Sequence, residues 1–162
     1  MKIRSVVVEI INKSYPWGYF DGSAVGESKS CGAGGMLYIS EEHYFSFKAG
    51  LGLGTNNLVE LCTLKLPFSL AREKHISKFR IFGDSLLVIN WANGKFRCLN
   101  LELLQVLNEI NRLSDFFELV VLKHIYRERN FQADALAKAR ALVIDGYWNV
   151  KEYRGPVCTD SF

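Results

Sequence analysis

Apolar positions follow one period in the first third of the chain and another beyond it. After Pro16, the aromatic residues Trp17, Tyr19 and Phe20 favour a strand over 16–22. His43, Phe45 and Phe47 alternate with Tyr44, Ser46 and Lys48, the two-residue period of a strand over 43–51. A further strand is expected over 34–39, with the Gly/Ser-rich stretch from Gly22 to Gly35 as the turn leading into it. Three strands joined locally predict an antiparallel meander. Before them, residues 1–14 have an apolar middle, Val6 to Ile11, that suits a strand or a short helix.

From Asn57 the period becomes helical. Glu60, Leu64, Phe68 and Ala71 are spaced by four, four and three, with Leu61 beside them. Glu60 thus shares a row with apolar residues and is expected to face the sheet. Thr55-Asn56-Asn57 supplies N-cap chemistry, and Pro67 inside the helix should kink it. Lys78–Gly83 reads as a fourth strand with Asp84 just past its carboxyl end, and Ser85–Trp91 as a short helix. Leu103, Val106, Leu107, Ile110 and Leu113 mark another helix. The continuous apolar run Leu119–Leu122 suits a strand buried on both faces. A last helix is expected over 130–144, with Ala133, Ala137, Ala141 and Ile144 as its core stripe. Residues 145–162 show no firm period and read as a tail. The order β-β-β-α-β-α-α-β-α predicts an α/β fold whose mixed sheet is flanked by helices. In such sheets ligands gather at the carboxyl ends of strands, where Asp84 stands.

At 162 residues and 49% hydrophobic content, the chain suits one domain with a substantial core. It lacks an apolar run of about eighteen residues, so no membrane span is expected. The start, broken at Glu9, is too short and charged for a signal peptide. A net charge of only +3 means that a nucleic-acid partner must be argued from a local site. Cys31, Cys62, Cys98 and Cys158 form no CxxC pair, which argues against zinc and for a reducing, intracellular setting.

Four acids stand in apolar surroundings: Asp21, Glu60, Asp84 and Asp134. Each has an ordinary alternative. Asp21 can serve the turn at Gly22, Glu60 can lie on a solvated helix face, Asp84-Ser85 can cap a helix, and Asp134 suits a helix first turn. Together, Asp21-Gly22-Ser23, Thr55-Asn56-Asn57-Leu58-Val59-Glu60-Leu61, Phe82-Gly83-Asp84-Ser85 and Asn130-Phe131-Gln132-Ala133-Asp134-Ala135-Leu136-Ala137 resemble the signature segments of the ribonuclease H family. They fall in the family's order and on its elements, over residues 16–144. The short connection after Trp91 looks most like the ribonuclease H domains of plant retrotransposon-type reverse transcriptases.

The resemblance implies a ribonuclease H-like fold with a five-stranded mixed sheet. It divides the chain into an N-terminal extension (1–15), a catalytic domain (16–144) and a C-terminal tail (145–162). It also implies cleavage of the RNA strand of an RNA–DNA hybrid with two Mg²⁺ ions, or Mn²⁺ in their place. Like-charged carboxylates about 4 Å apart repel by roughly 4 kcal/mol at an effective dielectric near 20. Two cations about 3.5–4 Å apart would cancel that repulsion. By the resemblance Asp21 bridges both ions, Glu60 and Asp84 hold the one nearer the leaving 3′-oxygen, and Asp134 holds the one that activates the attacking water. The products would carry a 5′-phosphate and a 3′-hydroxyl.

Asn56 and Asn57 match the family's paired asparagines, which reach bases and 2′-hydroxyls in the minor groove, where the 2′-OH marks RNA. Thr55 can hold a DNA phosphate as well as cap its helix. Ser85 lies where it can assist near the hybrid. Arg127 and Arg129, ahead of the last helix, are either phosphate contacts or solvated loop charges. His124 sits near the place of a mobile histidine in bacterial ribonucleases H, but is expected to lie on the strand. Lys95 and Arg97 alone occupy the connection where other members carry a basic helix. Binding is therefore expected to be weak or strongly salt-sensitive, or helped by a reverse transcriptase or another nucleic-acid-binding domain. A non-catalytic hybrid- or RNA-binding module is the competing function. DEDD-type exonucleases, which need an acid where Ser23 stands, and integrases, which more often carry Glu in place of Asp134, fit less well.

Overall fold

The computed structural model describes residues 14–25, 30–53, 55–138 and 148–160. The aromatic run after Pro16 opens β1 (Trp17–Val25), which pairs antiparallel with β2 (Ser30–Tyr38), and β2 pairs antiparallel with β3 (His43–Leu53). The meander is thus as expected, but the strands are longer. Much of the stretch read as a turn is strand, and Gly34 and Gly35 pair with Asp21 and Phe20. Gly35 serves packing rather than turning, since a Cβ there would lie 2.3 Å from the Phe47 ring.

Next comes α1 (Asn56–Glu73), which runs through the buried Pro67 as one helix. Its Leu61, Leu64, Phe68 and Ala71 are buried against Phe20, Leu37, Phe45 and Phe47 of the meander. β4 (Lys78–Gly83) lies parallel to β1, and β5 (Leu119–His124) parallel to β4. Between them, α2 (Leu86–Ala92) and α3 (Leu101–Ser114) extend the same core through Val88, Ile89, Leu103, Val106, Leu107 and Ile110. α4 (Phe131–Lys138) packs on β1 and β2, and Ala133 and Ala137 of its expected stripe are fully buried. Ala141 and Ile144 lie outside the described residues.

Two expectations need correction. Leu119–Leu122 is not buried on both faces: β5 is an outer strand of the sheet and its residues are exposed or half-buried. Its apolar run suits the packing of Val120 and Leu122 against the core. Among the described residues the sheet has seven strands rather than five, in the order β5-β4-β1-β2-β3-β6-β7. Residues read as a tail form β6 (Trp148–Arg154) and β7 (Val157–Asp160), antiparallel to β3 and to each other. Val150 is buried opposite Phe47, and Tyr153 stacks on Tyr44 at 4.7 Å. Gly155 opens the two-residue turn with a φ of 59°, which glycine adopts without penalty.

Candidate metal centre

The acids converge because two helices approach the strand that carries Asp21 unusually closely. Asp21 lies in β1, 5% exposed, between Phe20 in the core and Gly22. A Cβ on Gly22 would meet Val59 Cγ1 at 2.7 Å and the Glu60 backbone nitrogen at 3.1 Å. Only glycine lets the first turn of α1 come that near, which brings Glu60 beside Asp21. Opposite Asp21 in the ladder, a Cβ on Gly34 would stand 2.4 Å from the Ala137 nitrogen, so α4 rests on the backbone there and presents Asp134. The parallel register of β1 and β4 aligns Tyr19 with Phe82, which sets Asp84, two residues on, level with Asp21. Gly83 leaves room for the Phe20 ring, 2.4 Å from where its Cβ would be.

Asn130 holds the fourth arm. It is 1% exposed, and its Nδ2 donates to the Phe20 carbonyl at 2.8 Å, tying the start of α4 to β1 one residue before Asp21. Its position in the NxxAD segment is a signal, but only the fold shows that the side chain bonds a strand rather than its own helix.

One carboxylate oxygen each from Asp21, Glu60 and Asp84 lies within 4.8 Å of the others, the one such acidic group among the described residues. Asp134 stands outside that group but near enough to raise the Asp21 pKa. Burial first, then Asp84 and Asp134 nearby, push the Asp21 carboxyl up to about 7, against a lowering contact with Glu60. Glu60 is raised further, by burial, by its hydrogen bond with Asp21 and by repulsion from Asp21 and Asp84, while the Gly22 N–H opposes the rise. Without a counter-charge this cluster therefore holds protons.

Glu60 Oε2 and Asp84 Oδ2 are buried without a hydrogen-bond partner. Buried acceptors are seldom left so, and an all-oxygen, anionic donor set is what Mg²⁺ or Mn²⁺ takes. The residues present fit a divalent cation.

Around this centre, Thr55 caps α1 through Oγ1, which accepts from Leu58 N at 3.4 Å, and Asn56 and Asn57 are exposed in the first turn. Ser85 caps α2, accepting from Val88 N at 3.3 Å. Capping is thus what both hydroxyls do in this structure. His124 is the last residue of β5, with Nε2 3.1 Å from the Asp84 carbonyl oxygen. Arg127, 86% exposed at its side chain, brings Nε to 4.0 Å from Asp84 Oδ2. Arg129 is near enough to Tyr19 to lower its pKa, against the larger effect of burial. Lys95, Phe96 and Arg97 are exposed beyond α2, away from the acids in sequence but on the same connection after Asp84's helix.

Among known proteins, residues 19–140 match the model of the family described as reverse transcriptase-like. An uncharacterized Bacillus subtilis protein, YpeP, is 33% identical over 126 residues; that stretch is 74% of this chain but 56% of the relative. RNase H1 from Halobacterium salinarum superimposes with a TM-score of 0.74 at 24% identity, covering 78% of this chain and 97% of the other. The N-terminal RNase H domain of a Mycobacterium tuberculosis protein gives 0.71 at 22%, covering 78% and 92%. LC11-RNase H1, solved in complex with an RNA/DNA hybrid, gives 0.71 at 22%, covering 76% and 94%. The family match over most of the chain shows that it belongs to the reverse transcriptase-like family, and its fold is the one shared with RNase H1.

Proposed function

We propose that this chain is a metal-dependent endonuclease that hydrolyses the RNA strand of RNA–DNA hybrids and leaves 5′-phosphate and 3′-hydroxyl ends. The observation that carries this is the grouping of Asp21, Glu60 and Asp84 oxygens within 4.8 Å, with a buried oxygen of Glu60 and one of Asp84 lacking a hydrogen-bond partner. A hybrid substrate is supported by the shared fold with LC11-RNase H1, which was solved bound to one.

Asp21, Glu60, Asp84 and Asp134 would hold two Mg²⁺ ions, with Mn²⁺ as a substitute. Bound there, the cations supply charge neutralisation to a phosphodiester attacked in line by water and to its departing 3′-oxygen. The chain's own residues do the rest. Asn56 and Asn57, four and three residues before Glu60, lie on its side of α1 and offer exposed amides to the 2′-hydroxyls. Thr55 and Arg127 supply donors for backbone phosphates, and Arg129 and Ser85 stand at the same margin. His124 acts as a positioning residue: its ring donates to the Asp84 carbonyl and steadies the end of β4.

We assign the catalytic unit to residues 16–144. Affinity comes in part from a fused or partner nucleic-acid-binding domain, because Lys95 and Arg97 are the only basic residues on the connection after α2. The four thiols suit an intracellular setting. Among the described residues, no helix is long and apolar enough to cross a membrane.

The test is cleavage of a labelled RNA–DNA hybrid in Mg²⁺, beside single-stranded RNA, duplex RNA and Asp84→Asn. Hybrid-only cleavage that disappears in Asp84→Asn is expected. Silence of both proteins in Mg²⁺ and Mn²⁺, with hybrid binding retained, would instead make the chain a binding module.

A further inference from the structure

The segment that joins β5 to α4 is pinned at both ends and exposed between them. Ile125 is buried with Trp17 and Phe82, and its N–H donates to the Gly83 carbonyl at 2.9 Å, which fixes the chain to the end of β4. Asn130, at the far end, is tied to β1 through the Phe20 carbonyl. Tyr126, Arg127, Glu128 and Arg129 between them are all exposed. Arg127–Arg129 form a 3₁₀ turn, in which the Arg129 N–H donates to the Tyr126 carbonyl and the Asn130 N–H to that of Arg127, each at 2.9 Å. A segment held in this way presents its side chains to a ligand at little further cost in ordering.

Tyr126 is 67% exposed, although its neighbour Ile125 is buried. Its ring meets that of His124 edge to face, with 5.8 Å between centres, and His124 Nε2 lies 3.1 Å from the Asp84 carbonyl oxygen. Through the His124 ring, Tyr126 thus stands one side chain away from Asp84. Arg127, the next residue, brings Nε to 4.0 Å from Asp84 Oδ2. The segment therefore borders the strand whose phosphate the acids would engage, which is the RNA strand.

An exposed ring among cations is the composition of a single-strand platform, where bases stack on the aromatic face and the cations follow the backbone. The turn carries two arginines to one acid, Glu128, so it remains cationic. A base inside the hybrid has both faces covered by its neighbours. The ring can stack only on a base that has left the helix.

We propose that Tyr126 stacks on unpaired RNA where the cleaved strand leaves the hybrid, with Arg127 and Arg129 beside its phosphates. This rests on the hybrid-cleaving reading above and makes a hybrid that ends in an RNA flank the preferred substrate. The stack is indifferent to base identity, since every base has a π-face.

The test is binding of the full chain to hybrids in Ca²⁺, with intact RNA confirmed on gels. A blunt hybrid is compared with hybrids whose RNA strand runs on unpaired at its 5′ or its 3′ end, and with one whose DNA strand does. One of the two RNA flanks should tighten binding at least fivefold, and the DNA flank should not. A 2-aminopurine at the first unpaired RNA position should lose fluorescence on binding. Tyr126→Ala should abolish both the gain and the quenching, while Tyr126→Phe, which keeps the ring, should retain them; thermal melts confirm that both variants are folded. Equal binding of blunt and flanked hybrids would overturn the proposal and leave the nuclease reading standing. So would a gain that survives Tyr126→Ala, an equal gain from the DNA flank, or an equal loss of blunt-hybrid binding in Tyr126→Ala. Failure of every hybrid to bind would overturn both.

Discussion

The two ends of the sheet treat the same chemical group in opposite ways. At the end away from the acids, Glu152 receives His43 and Arg154, and these contacts hold its carboxyl below the usual range. At the other end Asp21 is buried and Glu60 half-buried beside Asp84 and Asp134, and their carboxyls are raised. Among the described residues, the cation recorded beside Asp84 is Arg127, which reaches 4.0 Å and is mostly exposed. One end is finished by its own side chains; in the proposed function the other is completed by cations from outside. Electrostatic strain of this kind marks a site built for binding rather than for stability.

The sharpest way to break the contrast is to remove one buried charge. Glu60→Gln should lower hybrid cleavage on the order of 10³-fold or more, several kcal/mol of lost transition-state stabilisation. The same change should raise the melting temperature of the metal-free protein most at pH above about 7, where the carboxyls are driven to ionise, because an amide in that place stays neutral. A variant both inactive and less stable would mean that Glu60 is structural. pH gives a second test. Asp21 and Glu60 have raised folded values, so the folded state binds more protons than the unfolded chain. Their contribution to stability is complete below about pH 4 and is lost as pH rises through about 7 and beyond, on the order of a few kcal/mol. Melts in EDTA should show that decline, and saturating Mg²⁺ should flatten it.

Smaller effects should sharpen the comparison. Gly34→Ala forces a Cβ against the backbone of α4 and should cost about 1–3 kcal/mol while weakening the hold on metal. Denaturant unfolding with and without Mg²⁺ measures both. Asn130→Ala removes the bond to the Phe20 carbonyl and should cost about 1–2 kcal/mol, with a larger proportional loss of activity than of stability. Glu152→Gln, at the finished end, should change stability by less than about 1 kcal/mol and leave cleavage unaltered. A loss of activity there would show that the two ends are coupled.

Much of the acid centre was legible in the sequence, because its residues sit at fixed places on periodic elements. Glu60 shares a row with Leu64, Phe68 and Ala71, and Asp84 follows a strand directly. The glycines were harder to interpret. Composition reads a turn from Gly22 and starts the strand only at Gly34, whereas β2 begins at Ser30, and close packing against α4 and Phe47 requires Gly34 and Gly35 inside it. The final two strands were missed because Trp148 and Val150 gain their meaning only from partners a hundred residues earlier, Ala49 and Phe47. Likewise, Leu119–Leu122 carries no sign that it would lie at the sheet's edge. The role of Asn130 depends on a bond across 110 positions, which no local pattern contains.

The most direct test of the central claim is the number of protons released when Mn²⁺ or Mg²⁺ binds at pH 6, from calorimetry in buffers of differing ionisation enthalpy. A carboxylate cluster that holds protons until a cation arrives should release at least about one per protein, and Glu60→Gln should release fewer. Binding with no proton release, or no saturable binding, would contradict the account.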